Sequence, residues 1–258
     1  MTTSPPIAFQ QAAFYYEPYP IGIIRHAFDS AYYDELLRTF PPLEMFRFMQ
    51  HHGDKYSLSE VNNPDNYHTF LEKTPPWRRL HAYVKGPTFI PDVVDLLARH
   101  GIDLDLPEHT LRQPERRLKQ RLRARALRLL GAKDPILSAR FEFSAMPLQG
   151  GNILPHTDSP QKIITLVMSM RDASAWDEAR CGGGTEVMRP KDPSKSFNFI
   201  NHYLTFDEVD TIRIMPFDPN QCVIFVKTFN SLHGVRPMTG PAGIFRRTLT
   251  INIEAQGG

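Results

Sequence analysis

Two side chains that can bind a metal ion lie two residues apart, at His156 and Asp158. In an extended backbone residues i and i+2 point to the same face, so an imidazole and a carboxylate can reach one ion from a single strand end. A third ligand must come from a distant part of the chain, and His233 is the candidate. Two imidazoles and one carboxylate on one face leave the opposite octahedral positions open, which favours Fe(II) over structural zinc.

The order of these residues strengthens the prediction, because an isolated histidine or a His-x-Asp pair is common by chance. The pair ends a predicted strand, and a strongly apolar run at 221–226 leads towards His233. An arginine-containing strand follows within about a dozen residues. Because His156 and His233 are far apart in sequence, only a fold that brings distant strands together can unite them.

The last strand predicts a binding site for an acidic ligand. Its polar side chains share one face, at Arg246, Thr248, Thr250 and Asn252. The other face is mainly apolar, so we expect it to pack on the core while the polar face lines a cavity. A guanidinium pairs bidentately with a carboxylate and keeps its charge, so Arg246 is the predicted anchor, with Thr248 beside it. Arg247 remains the alternative anchor.

From residue 136 onward, short β-type runs alternate with glycine, proline and asparagine turns, as in all-β barrels and sandwiches. The run at 140–144 alternates strictly between polar and apolar residues. Polar side chains near the predicted cavity or its mouth are candidate substrate contacts: Arg140, Glu142, Asn152 and Lys162. The alternative is a hydrogen-bonded polar stripe inside a barrel.

Residues 1–135 are predicted to form a mixed, mainly helical support for a core at 136–258. We expect the support and the core to form one compact unit. Leucines at helical spacing predict an amphipathic helix at 111–130, whose other faces at 112–128 are rich in arginine. This basic face is either solvated or a docking surface for an anionic partner or substrate. No aromatic residue interleaves with the arginines, so a nucleic-acid partner is not expected.

Composition is that of an ordinary globular protein, with 41% hydrophobic and 22% charged residues and a net charge of +2. This balance predicts no general attraction to nucleic acid or to anionic membranes. The two cysteines, Cys181 and Cys222, are expected to be reduced thiols. No signal peptide or membrane span is recognisable, which predicts a cytoplasmic protein with no membrane partner.

Residues 138–254 resemble the 2-oxoglutarate and Fe(II)-dependent dioxygenases, particularly their prolyl-hydroxylase-like branch. The family's HxD…H…Arg-x-Ser pattern corresponds here to His156-Thr157-Asp158, His233 and Arg246-Arg247-Thr248. Threonine replaces the usual small residue but keeps the hydroxyl, and a Gly-Gly turn at 183–184 is also shared. The resemblance implies a mainly β fold with supporting α-helices and a double-stranded β-helix core, that is, a cupin-like jelly roll.

The resemblance also implies the chemistry. Its cofactors are Fe(II), 2-oxoglutarate and O2, with the far carboxylate of 2-oxoglutarate on Arg246 and a polar contact from Thr165. Lys227 is a further alternative anchor, as in some relatives. The products would be succinate, CO2 and a hydroxylated small molecule, saccharide or protein side chain, and an anionic substrate is among the candidates. The carboxylate of Asp158 favours hydroxylation over halogenation.

Two other classes of function remain open at this stage. A cupin-like module would hold a metal or ligand in the same barrel without turnover. An interaction protein would use the basic helix at 112–128 as its functional surface. An arginine facing the metal discriminates against the module, because simple metal binding does not require one.

Overall fold

The computed structural model of the chain describes residues 6–50, 53–104, 136–171 and 178–256. Four helices lie in its N-terminal part: α1 (Ser30–Arg38), α2 (Pro64–Lys73), α3 (Pro75–Val84) and α4 (Phe89–Arg99). One further helical turn spans Glu178–Cys181. The predicted basic helix at 111–130 lies outside the described residues. Within them, no helix is long and apolar enough to cross a membrane.

The described part of the chain also contains twelve strands. The first four are β1 (Ala13–Tyr15), β2 (Ile21–Ile24), β3 (Arg47–Met49) and β4 (Lys55–Ser59). The next four are β5 (Ile136–Pro147), β6 (Ile153–His156), β7 (Lys162–Ser169) and β8 (Thr185–Pro190). The last four are β9 (Val209–Met215), β10 (Cys222–Val226), β11 (His233–Val235) and β12 (Phe245–Gln256).

These strands form two antiparallel sheets. The major sheet has the order β1-β2-β10-β7-β12-β5-β4-β3, and the minor sheet has the order β6-β11-β8-β9. From β5 to β12 the chain passes repeatedly between them, with β5, β7, β10 and β12 in the major sheet and β6, β8, β9 and β11 in the minor one. This path is a double-stranded β-helix, so the predicted fold is confirmed.

The two faces of the major sheet differ as the alternation of its strands predicts. On the outer face, Phe141 and Phe143 belong to the main apolar core together with Leu249 and Ile251. The helices cover this face, and the ring of Trp77 lies 4.8 Å from that of Phe143. The polar side chains of β5 and β12 therefore point to the opposite side, into the space between the sheets.

The region before β5 is more regular than its polar composition indicates. Residues 62–66 are all polar apart from Pro64, yet α2 begins at Pro64 and buries Tyr67 and Phe70. Proline at the first position of a helix costs no hydrogen bond, and the preceding Asn63 has the non-helical backbone of an N-terminal cap. The strands of this region extend the major sheet on both sides, because β2 pairs with β10 and β4 with β5.

Candidate metal centre

The pairing of β6 with β11 brings the two distant histidines together. In this register His156 lies directly opposite His233, so their side chains share one face of the minor sheet. The two ring centroids are 4.5 Å apart. The short strand β11 can adopt this register because Gly234 lets the backbones approach: a Cβ there would lie 2.7 Å from the carbonyl oxygen of Ile153.

The carboxylate of Asp158 completes the group. Its Oδ1 lies 3.6 Å from Nε2 of His156, and its Oδ2 lies 3.8 Å from Nε2 of His233. One possible ligand atom from each residue falls within 4.8 Å of the others. Asp158 has a positive φ of 67°, a sparsely populated conformation that turns the chain after β6 and aims the carboxylate back at the imidazoles.

Backbone hydrogen bonds select the histidine nitrogens that face the carboxylate. Nδ1 of His156 lies 2.9 Å from the carbonyl oxygen of Leu154, and Nδ1 of His233 lies 2.9 Å from that of Ser231. A carbonyl only accepts, so each Nδ1 carries a proton, and in the neutral ring Nε2 then keeps its lone pair. This donor set, two Nε2 lone pairs and a carboxylate, fits a divalent metal ion.

The protonation states agree with this assignment. Burial, followed by the charge of His156, lowers the pKa of His233 to about 4, so its imidazole is neutral near pH 7. Burial alone would raise the pKa of the Asp158 carboxyl. The neighbouring His156 and Lys162 outweigh it and hold that pKa well below its usual range. The neutral imidazole of His233 and the ionised carboxylate of Asp158 are in the forms that bind metals.

Several polar side chains hold Asp158 in place. The ammonium of Lys162 donates to its Oδ1 at 2.8 Å, and the hydroxyl of Thr165 lies 3.2 Å from its Oδ2. Thr165 also lies 3.0 Å from the side-chain amide of Asn252. Lys227 donates to the backbone carbonyl oxygens of Thr157 at 2.7 Å and Asp158 at 2.6 Å, and so stabilises the turn itself.

Aromatic rings enclose the imidazoles on two sides. Phe225 stacks on His233 with centroids 4.2 Å apart, and Tyr203 stacks on His156 with centroids 5.5 Å apart and planes 15° apart. Tyr203 belongs to the loop 196–204, whose asparagines, Asn198 and Asn201, hydrogen-bond to Thr157. The apolar side chains of this loop are largely exposed beside the site: Phe197, Phe199, Ile200 and Tyr203.

Arg246 lies in the space between the two sheets. It is 5% exposed, its Nε donates to the carbonyl oxygen of Gly183 at 2.7 Å, and its Nη2 lies 3.4 Å from the hydroxyl of Thr185. Thr185 is two residues along β8 from Val187, the partner of His233. Two residues of strand span about 7 Å, which separates the guanidinium from the level of the histidines.

The other predicted anchors lie elsewhere. Arg247 is exposed on the outer face, and its guanidinium lies 5.6 Å from the ring of Phe40. The ammonium of Lys227 is engaged by the turn at Asp158. Thr248 is 3% exposed and lies in β12 on the same face as Arg246. Strand alternation alone therefore separated the inner arginine from the outer one.

The four candidate substrate contacts fall into two groups. Arg140 and Lys162 lie near Glu142 and Asp158: Arg140 Nη2 is 2.8 Å from Glu142 Oε2, and the charges of both cations act on Glu142. Asn152, by contrast, lies in the turn before β6 and donates to the carbonyl oxygen of Gly150. The predicted contacts of all four residues with substrate stay predictions.

Some residues around the site carry no recognisable signal in the sequence. Lys55 comes from a distant strand of the N-terminal part, yet its ammonium lies 2.7 Å from Glu142 Oε1. Tyr203 comes from an irregular loop without hydrophobic periodicity. The hydroxyl of Thr165 lies against Asp158, and its expected contact with the cosubstrate stays a prediction. Only the alternation of β7 could have indicated that Thr165 faces the cavity.

No family model matches the chain, and no curated protein matches it. Solved structures with a similar fold include a prolyl hydroxylase from Trichoplax adhaerens in complex with a hypoxia inducible factor peptide, at 12% identity and a TM-score of 0.47, covering 91% of this chain and 83% of that chain. A prolyl-4-hydroxylase from Pseudomonas putida has 14% identity and a TM-score of 0.43, covering 92% and 93%. EvdO2 from Micromonospora carbonacea var. aurantiaca, complexed with 2-oxoglutarate, has 10% identity and a TM-score of 0.45, covering 92% and 87%.

Proposed function

We propose that the protein is an Fe(II)- and 2-oxoglutarate-dependent oxygenase that hydroxylates a C–H bond of its substrate. The observation that carries this proposal is the convergence of His156, Asp158 and His233 at one point between the two sheets. Three protein ligands on one face leave positions for a chelating cosubstrate and O2, as facial Fe(II) sites do. The inward-facing Arg246, farther along the same space, supplies the matching charge for a dicarboxylate.

With Fe(II), 2-oxoglutarate and O2 bound, such a centre oxidises 2-oxoglutarate to succinate and CO2 and transfers one oxygen atom to the substrate C–H. The chain's own residues bind and orient the reactants. His156 and His233 present Nε2 because their Nδ1 protons are engaged by backbone carbonyls. Lys162 and Thr165 fix the carboxylate of Asp158, which leaves less conformational entropy to be lost on metal binding.

Arg246 has the geometry of a cosubstrate anchor. Its Nε is held by Gly183, and the ring of Phe217 lies 4.4 Å below the guanidinium, so the planar group is fixed in orientation. A carboxylate bound there would lie on the inner face beside Thr248. At about 7 Å along the strand from the histidine level, the guanidinium and the triad are spaced for the two ends of a small dicarboxylate.

The direct test is an anaerobic titration of the protein with Fe(II) and 2-oxoglutarate, followed by visible absorption. We expect a weak charge-transfer band in the wild type that is lost in His156→Ala. Arg246→Ala should weaken 2-oxoglutarate binding about 100-fold, since a bidentate pair with a charged group contributes about 3 kcal/mol. The same variant should also form less succinate in the absence of substrate.

Two matched variants serve as controls. Arg247→Ala removes the neighbouring arginine from the outer face and should leave 2-oxoglutarate affinity unchanged. His26→Ala removes an exposed histidine remote in sequence from the triad and should leave the band unchanged. If His156→Ala and Arg246→Ala both retain the band, the proposed site is wrong. Metal binding without any response to 2-oxoglutarate would favour a cupin-like binding module instead.

A further inference from the structure

A second charged cluster lies next to the triad on the inner face of the major sheet. At its centre the carboxylate of Glu142 is almost fully buried, with Lys55 2.7 Å from Oε1 and Arg140 2.8 Å from Oε2. Burial alone would raise the pKa of Glu142. The charges of Lys55 and Arg140, with the hydrogen bond from Lys55, lower that pKa to about 2, so the group is an anion near pH 7.

Lys162 joins this cluster to the candidate metal centre. Its ammonium donates to Asp158 at 2.8 Å, and its charge acts on Glu142 as well. The polar row formed by Arg140, Asn252 and Thr165 crosses β5, β12 and β7 in register, and Thr165 contacts Asp158. The cluster therefore lies on the cavity side of the sheet, directly beside Asp158.

The cations of the cluster exceed its anions, and they are the more exposed members. Three positive side chains, Lys55, Arg140 and Lys162, are 29%, 25% and 27% exposed. The two carboxylates, Glu142 and Asp158, are 8% and 10% exposed. A ligand that approaches from the cavity thus meets ammonium and guanidinium groups, and a divalent ion at the triad would add further positive charge.

Arg140 retains hydrogen-bonding capacity in this arrangement. A guanidinium has five N–H donors, and its Nη2 is used by Glu142. Its Nε is buried and makes no hydrogen bond within the described part of the chain. Buried donors are nearly always satisfied in folded proteins, so this N–H on the inner side of the sheet is available to a ligand or water that can accept a hydrogen bond.

We infer that Lys55, Arg140 and Lys162 form a cradle that binds an oxyanion group of the substrate: a carboxylate, sulfate or phosphate. The assignment of this oxyanion to the substrate rests on the proposed function, whereas the existence of an anion site does not. The three cations and the two carboxylates, Glu142 and Asp158, leave a net charge of +1, which suits a terminal oxyanion rather than a neutral group. The cradle would position the remainder of the substrate over the triad.

The test is calorimetric titration of sulfate into two forms of the protein: metal-free, and loaded with Fe(II) and 2-oxoglutarate under anaerobic conditions. We expect saturable binding in both forms, because the cradle is separate from Arg246. Arg140→Gln should weaken sulfate binding about 10-fold, the effect of losing one charge-assisted contact. Glu142→Gln should have the opposite sign and tighten it, because the internal anion that competes for the cations is gone.

The two variants are expected to change sulfate affinity in opposite directions. This distinguishes an effect on ligand binding from general loss of structure, because misfolding would lower the affinity of both variants. Lys195→Gln is the matched control: Lys195 also forms a lysine–glutamate pair, with Glu208 at 2.5 Å, but in an exposed turn after β8. It should bind sulfate like the wild type. Parallel titrations with phosphate and acetate identify which oxyanion the cradle prefers.

Three results would overturn the inference. One is the absence of saturable sulfate binding to the wild type, and another is a change of the same sign in Arg140→Gln and Glu142→Gln. The third is that Arg140→Gln weakens 2-oxoglutarate instead of sulfate, which would assign the cradle to the cosubstrate. Failure of the proposed function is a separate outcome, because a missing charge-transfer band does not affect sulfate binding to the metal-free protein.

Discussion

Thr165 links the major sheet to the candidate metal ligand, and its hydroxyl can be removed with little change in shape. The hydroxyl lies 3.2 Å from Asp158 Oδ2 and 3.0 Å from Asn252 Oδ1, but it has only one proton to donate. Both contacts are satisfied if the Asn252 amide is turned so that its NH2 donates to Thr165, which in turn donates to Asp158. Thr165→Val breaks this relay at its centre.

The magnitude follows from the charge on the acceptor. A hydrogen bond to a charged group contributes about 1.5–3 kcal/mol, and loss of an outer contact to a metal ligand typically lowers affinity by about 10-fold to 100-fold. Lys162 still holds the other oxygen of Asp158, so we expect the lower end of this range. Thr165→Val should therefore raise the dissociation constant for the metal about 10-fold, or about 1.4 kcal/mol.

The assay is anaerobic titration of Fe(II) into the metal-free protein, repeated with Co(II) to follow its visible spectrum. Thr165→Ser keeps the hydroxyl and should bind metal like the wild type. Thr250→Val removes a hydroxyl from the same inner face, two residues before Asn252, and should also leave metal affinity unchanged. Metal affinity in Thr165→Val within twofold of the wild type would refute the relay. Equal losses in all three variants would mean that the effect is general destabilisation.

Two further predictions concern stability. Glu142 has a depressed pKa in the folded state, so its stabilising contribution is present above pH 4.5 and is lost as the pH falls towards 2. Between pH 5 and 2, the free energy of unfolding in urea should therefore drop by up to about 3 kcal/mol more in the wild type than in Glu142→Gln. Equal pH slopes in the two proteins would contradict this. Lys227→Met keeps the aliphatic stem but leaves the Thr157 and Asp158 carbonyls without their ammonium donor, which should cost about 1–3 kcal/mol of unfolding free energy and weaken metal binding. An unchanged midpoint of urea unfolding would show that the ammonium does not stabilise this turn.

The strands and the inner face of the barrel were readable from local pattern. Alternation at 140–144 and 246–253 placed Arg140, Glu142 and Arg246 on the face away from the apolar core, and the structure agrees. The physical reason is that a strand has a period of two, so one buried apolar residue decides where its neighbours point. The same rule separated Arg246 from Arg247.

Contacts between residues that are far apart in sequence could not be predicted from strand alternation. The contact of Lys55 with Glu142 joins β4 to β5 across 87 positions, and neither residue signals the other locally. Lys227 donates to the carbonyl oxygen of Asp158, and Tyr203 stacks on His156. Both contacts depend on how the loops close over the barrel. Such contacts are decided by packing and hydrogen-bond satisfaction after the sheets have formed.

By itself the sequence determined which residue types are present and which face of each strand they occupy, since periodicity is a local property of the backbone. It was enough to single out His156, Asp158, His233 and Arg246 as candidates. Only the tertiary structure decided that β6 and β11 pair so that the two imidazoles lie opposite each other. It also decided that Lys55 and Arg140 both contact the buried Glu142 carboxylate beside them. Register between distant strands is set by the packing of the whole barrel, which no short stretch of sequence contains.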